Sequence, residues 1–240
     1  MSAAIRTRLI FFIGAFAAAL LLTLPLRLAL EGSGLAHAGL AARDAKGTLW
    51  WGSLEDVRWG PVPLGDFNAG VRPLQLLLGR LGMSLDDRGV RETRGTVFAT
   101  SSGAGISDAD AFVPIGTLLA PLPVTAFELE NVSVHFGPRG CSEAAGLVRA
   151  RLAGSVAGLV MPPALSGAPR CESGILLLPL SSPSGTEAIE FRLAGNGRYE
   201  AAVVVRPSNP AIGDSLTAVG FRRTSRGYVT LLRGSLASRR

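Results

Sequence analysis

The residues of this chain that could do chemistry together are its acid pairs: Asp86 with Asp87, Asp108 with Asp110, and Glu128 with Glu130. Alternate residues of a strand project to one face, and two carboxylates so placed could share acid and base roles at a glycosidic bond. Like carboxylates on a strand are more commonly a solvated face, and that reading is preferred. His37 and His135 are the two histidines, which leaves no H-E-x-x-H pair and no third ligand for a catalytic zinc. His135 falls in the polar phase of a strand, where a solvated or satisfied side chain is the expectation. Gly103-Ala104-Gly105 lacks the third glycine of a dinucleotide loop, and neither a nucleophile elbow nor a phosphate loop occurs. The expectation is a protein that is not an enzyme, with no cofactor and no metal site.

Cys141 and Cys171 lie thirty positions apart without C-x-x-C spacing. In an oxidising compartment they would pair, contributing about 3 to 4 kcal/mol by loop entropy; two buried thiols are the alternative.

The compartment is argued from the start of the chain. Arg6 and Arg8 precede an apolar run from Leu9 to Leu26, which Arg27 ends. As a helix the run would be roughly 27 Å long, close to the hydrocarbon thickness of a bilayer. Basic residues on the short leading segment favour the cytoplasmic side. The domain plan is therefore a cytoplasmic terminus over 1–8, a single transmembrane anchor over 9–26, a membrane-proximal linker over 27–46 and a periplasmic domain over 47–240. Cleavage as a signal peptide, at the small-x-small site Ala36-His37-Ala38, and burial as an ordinary helix are the other readings.

Charge narrows the partners. Three of the 24 basic side chains, Arg6, Arg8 and Arg27, precede residue 28, so the remainder sets 21 basic against 18 acidic groups, a net of +3. Mixed signs of that size make a solvated surface and exclude a nucleic-acid footprint.

The elements that must position these residues read as strands. Gly47 to Trp59, then Val62 and Leu64 to Val71, are strand-like, and Leu74 to Leu81 is short enough for a buried strand. All three tryptophans, Trp50, Trp51 and Trp59, fall within ten positions and suggest an aromatic corner of the core. Val90 and Thr96 to Thr100 suggest two exposed strands, whereas Phe112 to Leu119 reads as a loop or short helix. Residues 126–136 alternate in two registers, which predicts a strand with a bulge near Asn131. Ile175 to Leu180 predicts a strand covered on both faces. Ile189 to Leu193 and Tyr199 to Val205 predict a hairpin whose Asn196-Gly197 makes a two-residue type I′ turn. Leu216 to Phe221 and Tyr228 to Leu236 read as a last strand pair. Some ten or more strands with little amphipathic helix predict one mainly β, antiparallel domain.

Gly47-Thr48-Leu49-Trp50-Trp51-Gly52, Leu64-Gly65-Asp66-Phe67, Val71-Arg72-Pro73-Leu74 and Leu78-Gly79-Arg80-Leu81 occur in that order. Near the other end stand Gly195-Asn196-Gly197-Arg198-Tyr199, Pro207, Leu216 with Gly220, and Arg233-Gly234-Ser235-Leu236. Together they resemble the type II secretion system protein N family over nearly the whole chain. The resemblance implies a non-enzymatic inner-membrane subunit whose curved antiparallel β-sheet lies in the periplasm. It would act as a scaffold contacting other secretion subunits in the export of folded proteins across the outer membrane. Similarity to the AsmA-like β half-pipes implies an alternative, the shelter or transfer of lipid between membranes. The family-motif residues marked as structural are Gly47, Thr48, Leu49, Trp50, Gly52, Arg72, Pro73, Gly195 and Gly197.

Overall fold

The computed structural model describes residues 3–32, 40–59, 62–71, 81–87, 93–100, 103–116, 119 and 122–235. Arg72, Pro73, the run from Leu74 to Arg80, Val90, His37 and Leu236 lie outside the described residues.

Two helices open the chain, α1 over Ala3–Leu22 and α2 over Leu26–Gly32. Between them Thr23 completes the last turn of α1, its amide and its hydroxyl both donating to Ala19 O at 3.0 and 2.8 Å. Pro25 has no amide to continue the ladder and biases the preceding residue toward extended backbone. The apolar run read as one helix over 9–26 is thus broken, and its last residues join the domain. Among the described residues no helix is long and apolar enough to cross a membrane; in α1 the described side chains are those at positions 8, 11–16, 19, 20 and 22.

The strands follow in order as β1 (Leu40–Ala41), β2 (Asp44–Gly47), β3 (Gly52–Trp59), β4 (Val62–Val71), β5 (Leu81–Asp87) and β6 (Arg94–Thr100). Next come β7 (Gly103–Pro114), β8 (Val124–Gly137), β9 (Gly140–Leu152), β10 (Ser155–Val156), β11 (Leu159–Val160) and β12 (Ala164–Gly167). The remainder is β13 (Arg170–Glu172), β14 (Ile175–Ser181), β15 (Glu187–Ala194), β16 (Arg198–Val205), α3 (Pro210–Ala218), β17 (Arg222–Thr224) and β18 (Gly227–Ser235). Sixteen strands form one sheet in the order β1-β3-β4-β5-β6-β7-β8-β9-β12-β14-β15-β16-β18-β17, with β2 beside β3 and β13 beside β14. β10 and β11 make a separate ribbon. Each pairing is antiparallel, and from β3 to β9 each strand is bonded to the next in sequence, as short connections require.

The sheet is amphipathic because period-two alternation persists from strand to strand. Register sets Ile189 opposite Val203, Phe191 opposite Ala201 and Leu193 opposite Tyr199 on one face, with Glu190 and Arg192 on the other. The apolar face of β8, β9, β12 and β14 to β16 buries Val132, Val148, Ala150, Leu165, Leu180, Ile189 and Val203 in one cluster. Met161, Phe221 and Leu216 of α3 close it. A second cluster joins Leu26 and Leu49 to Leu54, Val57, Phe67, Ala69, Val71 and Met83 of β3 to β5.

Bulges punctuate the long strands, and at three positive-φ positions among the described residues the amide is taken by a neighbouring side chain. Asp56, Asp108 and Asn131 adopt positive φ angles of 49, 51 and 50°. Their amides donate to Asp66 Oδ1 at 2.7 Å, Ser133 Oγ at 3.0 Å and Asp110 Oδ1 at 2.8 Å. The bulge expected near Asn131 is therefore present, with a register shift between Glu130 and Ser133.

Three local expectations are corrected. Phe112, Val113 and Pro114 are strand, because β8 offers Glu128, Phe127 and Ala126 as partners and pairing outweighs the turn preference of proline at a strand end. Leu216 sits in α3, where Asn209 Oδ1 accepts from Ala211 N at 3.0 Å and Pro210 enters the first turn, an N-terminal signature read too weakly against the apolar run. The β15–β16 hairpin exists, but its loop is Gly195 to Gly197: Gly197 N donates to Ala194 O at 2.9 Å, and of Asn196 and Gly197 only the glycine has positive φ. Asn196 instead accepts from Arg198 N at 3.1 Å, the Asx bond that an asparagine in a turn favours.

Candidate functional site

The junction between α1 and the sheet is built by the Gly47–Gly52 segment. Gly47 and Gly52 face one another as the last pair of β2 and β3, so Thr48 to Trp51 form the connecting loop. Thr48 closes it, its amide donating to Trp51 O at 3.0 Å while its hydroxyl accepts from Trp51 N at 3.3 Å. The loop then reaches back to the helices: Leu49 N donates to Leu24 O at 2.8 Å, and Pro25 forms an antiparallel bridge with Thr48. On its other side Leu49 O accepts from Val71 N at 2.9 Å. Two helix ends and three strands are thereby tied by one short loop.

Glycine is required at both ends of this loop. Gly47 has φ +86°, and a Cβ there would meet Trp51 O at 2.5 Å. At Gly52 a Cβ would meet Leu26 Cδ2 at 2.5 Å and Lys46 O at 2.8 Å. Leu26, 1% exposed, occupies the space that Gly52 leaves. Burial of such a leucine contributes about 1.5 to 3 kcal/mol.

Trp51 is 81% exposed, which corrects the expectation of three core tryptophans: it sits in the loop, beyond the last strand pair, where no neighbouring strand can cover it. Trp50 is half-buried against the second cluster, and the side chain of Trp59 lies outside the described residues. Trp50, Trp51 and Leu22 line an open groove of about 840 Å³, whose polar wall includes Asn68, Ser84 and Asp86. Lys46 at its rim bonds Glu55 Oε1 at 2.7 Å and lies 3.4 Å from Asp44. The Glu55 bond, with that to Asp44, holds its ammonium above the usual lysine range.

Of the paired acids, Glu128, Glu130 and Asp110 meet bases. Glu128 faces Arg151 at 2.7 Å and Arg149 at 3.4 Å, and Glu130 meets Arg149 at 2.8 Å. The Arg151 hydrogen bond chiefly, with Arg149, keeps the Glu128 carboxyl below its ordinary range despite some burial. Asp110 is likewise lowered, first by the Asn131 amide and then by Arg94 at 2.9 Å. Arg192 with Glu190 along β15, and Arg233 of β18 with Glu200 of β16 at 2.7 Å, continue this lattice on the polar face. Glu128 and Asp110, held ionised in this way, are not poised to exchange protons near neutral pH.

His135 Nδ1 lies 3.0 Å from Ser142 Oγ, a nucleophile-to-base spacing, but its Nε2 is buried without a partner. The ring packs on Phe98 at 5.5 Å between centroids. A dyad needs a third group to orient the imidazole, and none among the described residues bonds Nε2. Among the described residues no group of three or more His, Cys, Asp or Glu side chains is placed to hold a metal ion. Cys141 of β9 and Cys171 of β13 are joined as a disulfide with Cα atoms 5.4 Å apart. Gly195 and Gly197 lie in the β15–β16 loop, far along the sheet order from the Gly47–Gly52 loop.

The chain was compared with known proteins. The family model for the type II secretion system (T2SS), protein N, matches residues 38–231. The chain belongs to the type II secretion system protein N family. Membership implies a role in type II secretion and interaction with other secretion subunits. The type II secretion system protein N of Vibrio cholerae serotype O1 is 28% identical over 189 residues, which are 70% of this chain and 73% of that one. No solved structure matches the chain. The matched stretch begins at residue 38, and so takes in β1, β2 and the Gly47–Gly52 loop but not α1. Sequence reasoning selected Gly47, Thr48, Leu49, Trp50 and Gly52 as motif residues but missed Leu24 and Leu26, their partners across the junction. The signal available was Pro25, a helix breaker inside an apolar run.

Proposed function

We propose that this protein N family member is a non-enzymatic subunit anchored in the cell inner membrane by its amino-terminal helix, with the sheet in the periplasm as a scaffold for other secretion subunits. The observation that carries the reading is the surface of α1. Residues 11–16 are all exposed, Phe11 at 79%, and six consecutive residues go fully round a helix. A helix apolar on every side needs an apolar surrounding, and a bilayer supplies it. Arg6 and Arg8 in its first two turns favour the cytoplasmic side, and the cystine suits the oxidising periplasm.

The scaffold role rests on the sheet. Its polar face is a lattice of paired charges, a surface suited to selective contact with other proteins. A second reading, shelter of lipid acyl chains, draws on the apolar face, where Phe136, Leu176, Phe191 and Tyr199 are only partly buried.

Photocrosslinkers placed in cells along 47–64 and along 228–235 separate the two. Crosslinks to secretion subunits are expected, and crosslinks chiefly to phospholipid or lipopolysaccharide would transfer the assignment to lipid handling. Release of the chain from membranes by alkaline carbonate would remove the anchor.

A further inference from the structure

We propose that the Gly47–Gly52 loop is a membrane-contact element and that Trp51 places its indole in the headgroup region of the leaflet from which α1 emerges. The inference rests on the reading of α1 as the anchor and adds the position of the domain relative to the bilayer.

Three observations carry it. Trp51 is 81% exposed, yet an indole offers 150 Å² or more of surface, roughly, whose contact with water is unfavourable. It lines the same groove as Leu22, the final residue of α1. The connection between them is short and bonded, not a free tether: Leu49 N to Leu24 O at 2.8 Å, and the Pro25–Thr48 bridge. The height of Trp51 above the end of α1 is therefore set by the fold.

Tryptophan is the residue of choice at such a level, because its apolar ring enters the acyl boundary while its N–H keeps a polar partner. The loop is preorganised by the two Thr48–Trp51 bonds, so little further ordering is needed on contact. Trp50 turns to the protein core and Trp51 to the outside, a division of labour that two adjacent residues of an extended loop can provide.

The test uses the full chain reconstituted in phosphatidylcholine–phosphatidylglycerol vesicles, with Trp50→Phe and Trp59→Phe leaving Trp51 as the fluorophore. Emission is expected at shorter wavelength than for a water-exposed indole, protected from acrylamide and quenched most by lipid brominated near the headgroup. The otherwise native chain is compared with Trp51→Phe, so that the difference reports Trp51 even where the double substitution impairs folding. Full acrylamide access with no bromolipid quenching, in protein that floats with the vesicles, would overturn the inference and leave the anchor standing. Failure to float overturns both.

Discussion

Gly52 shows what a single missing side chain does here. Its absent Cβ makes room for Leu26, and two of the atoms that an added methyl would strike, Lys46 O and Thr48 O at 2.8 and 3.0 Å, are backbone that cannot rotate away. Gly52→Ala is expected to cost about 1 to 3 kcal/mol, read from urea unfolding, through overpacking at the junction. Charges act at the same scale with a definite sign. Asp110 and Glu128 have folded pKa values below their unfolded ones, so their stabilisation is complete above the ordinary carboxylate range and is lost as pH falls through the folded values. Stability should be flat from neutrality to about pH 5 and fall below about pH 4, and Asp110→Asn should flatten that acid limb in denaturation series. The acid pairs stood out in the sequence; their guanidinium partners did not, because Arg149 and Arg151 reach Glu128 only through strand pairing more than twenty positions away.

At the level of elements, the disulfide ties β13 to β9 although neither strand is hydrogen-bonded to the other in the sheet order. Replacing both Cys141 and Cys171 by serine is expected to lower stability by about 3 to 4 kcal/mol, measured against the unreduced chain by chemical denaturation. The helix that ends the first core depends on its cap. Asn209→Ala removes the acceptor for Ala211 N and is expected to cost about 1 kcal/mol, with loss of helical signal from α3 before the sheet melts. The β15–β16 hairpin was legible because alternation and an Asn-Gly turn agree locally. α3 was not, because Leu216 to Phe221 is apolar enough to pass for a strand, and what decides is the burial of Leu216, 0% exposed, against the first cluster. Phe112 to Pro114 failed in the other direction, since a strand end held by its neighbour leaves no local pattern.

Taken whole, the molecule is a long antiparallel sheet with one apolar and one ion-paired face, entered directly from its amino-terminal helix. A chain beginning at residue 40 should be less stable than one beginning at residue 24 by about 2 to 5 kcal/mol, since it loses Leu26 from the second cluster; paired unfolding curves check this. The apolar run, the alternation of strands and each family motif were properties of neighbours along the chain. From these the β class, the antiparallel arrangement and the family followed without coordinates, because period-two patterning and short turns are local constraints. What only the tertiary structure decided is where distant segments meet: Leu24 and Leu26 on the Gly47–Gly52 loop, Trp51 outside the core, and Glu128 between two arginines. Those contacts depend on register and on bulges such as Asn131, which shift side chains from one face to the other, and a one-residue shift of that kind is invisible to any pattern that does not know its partner strand.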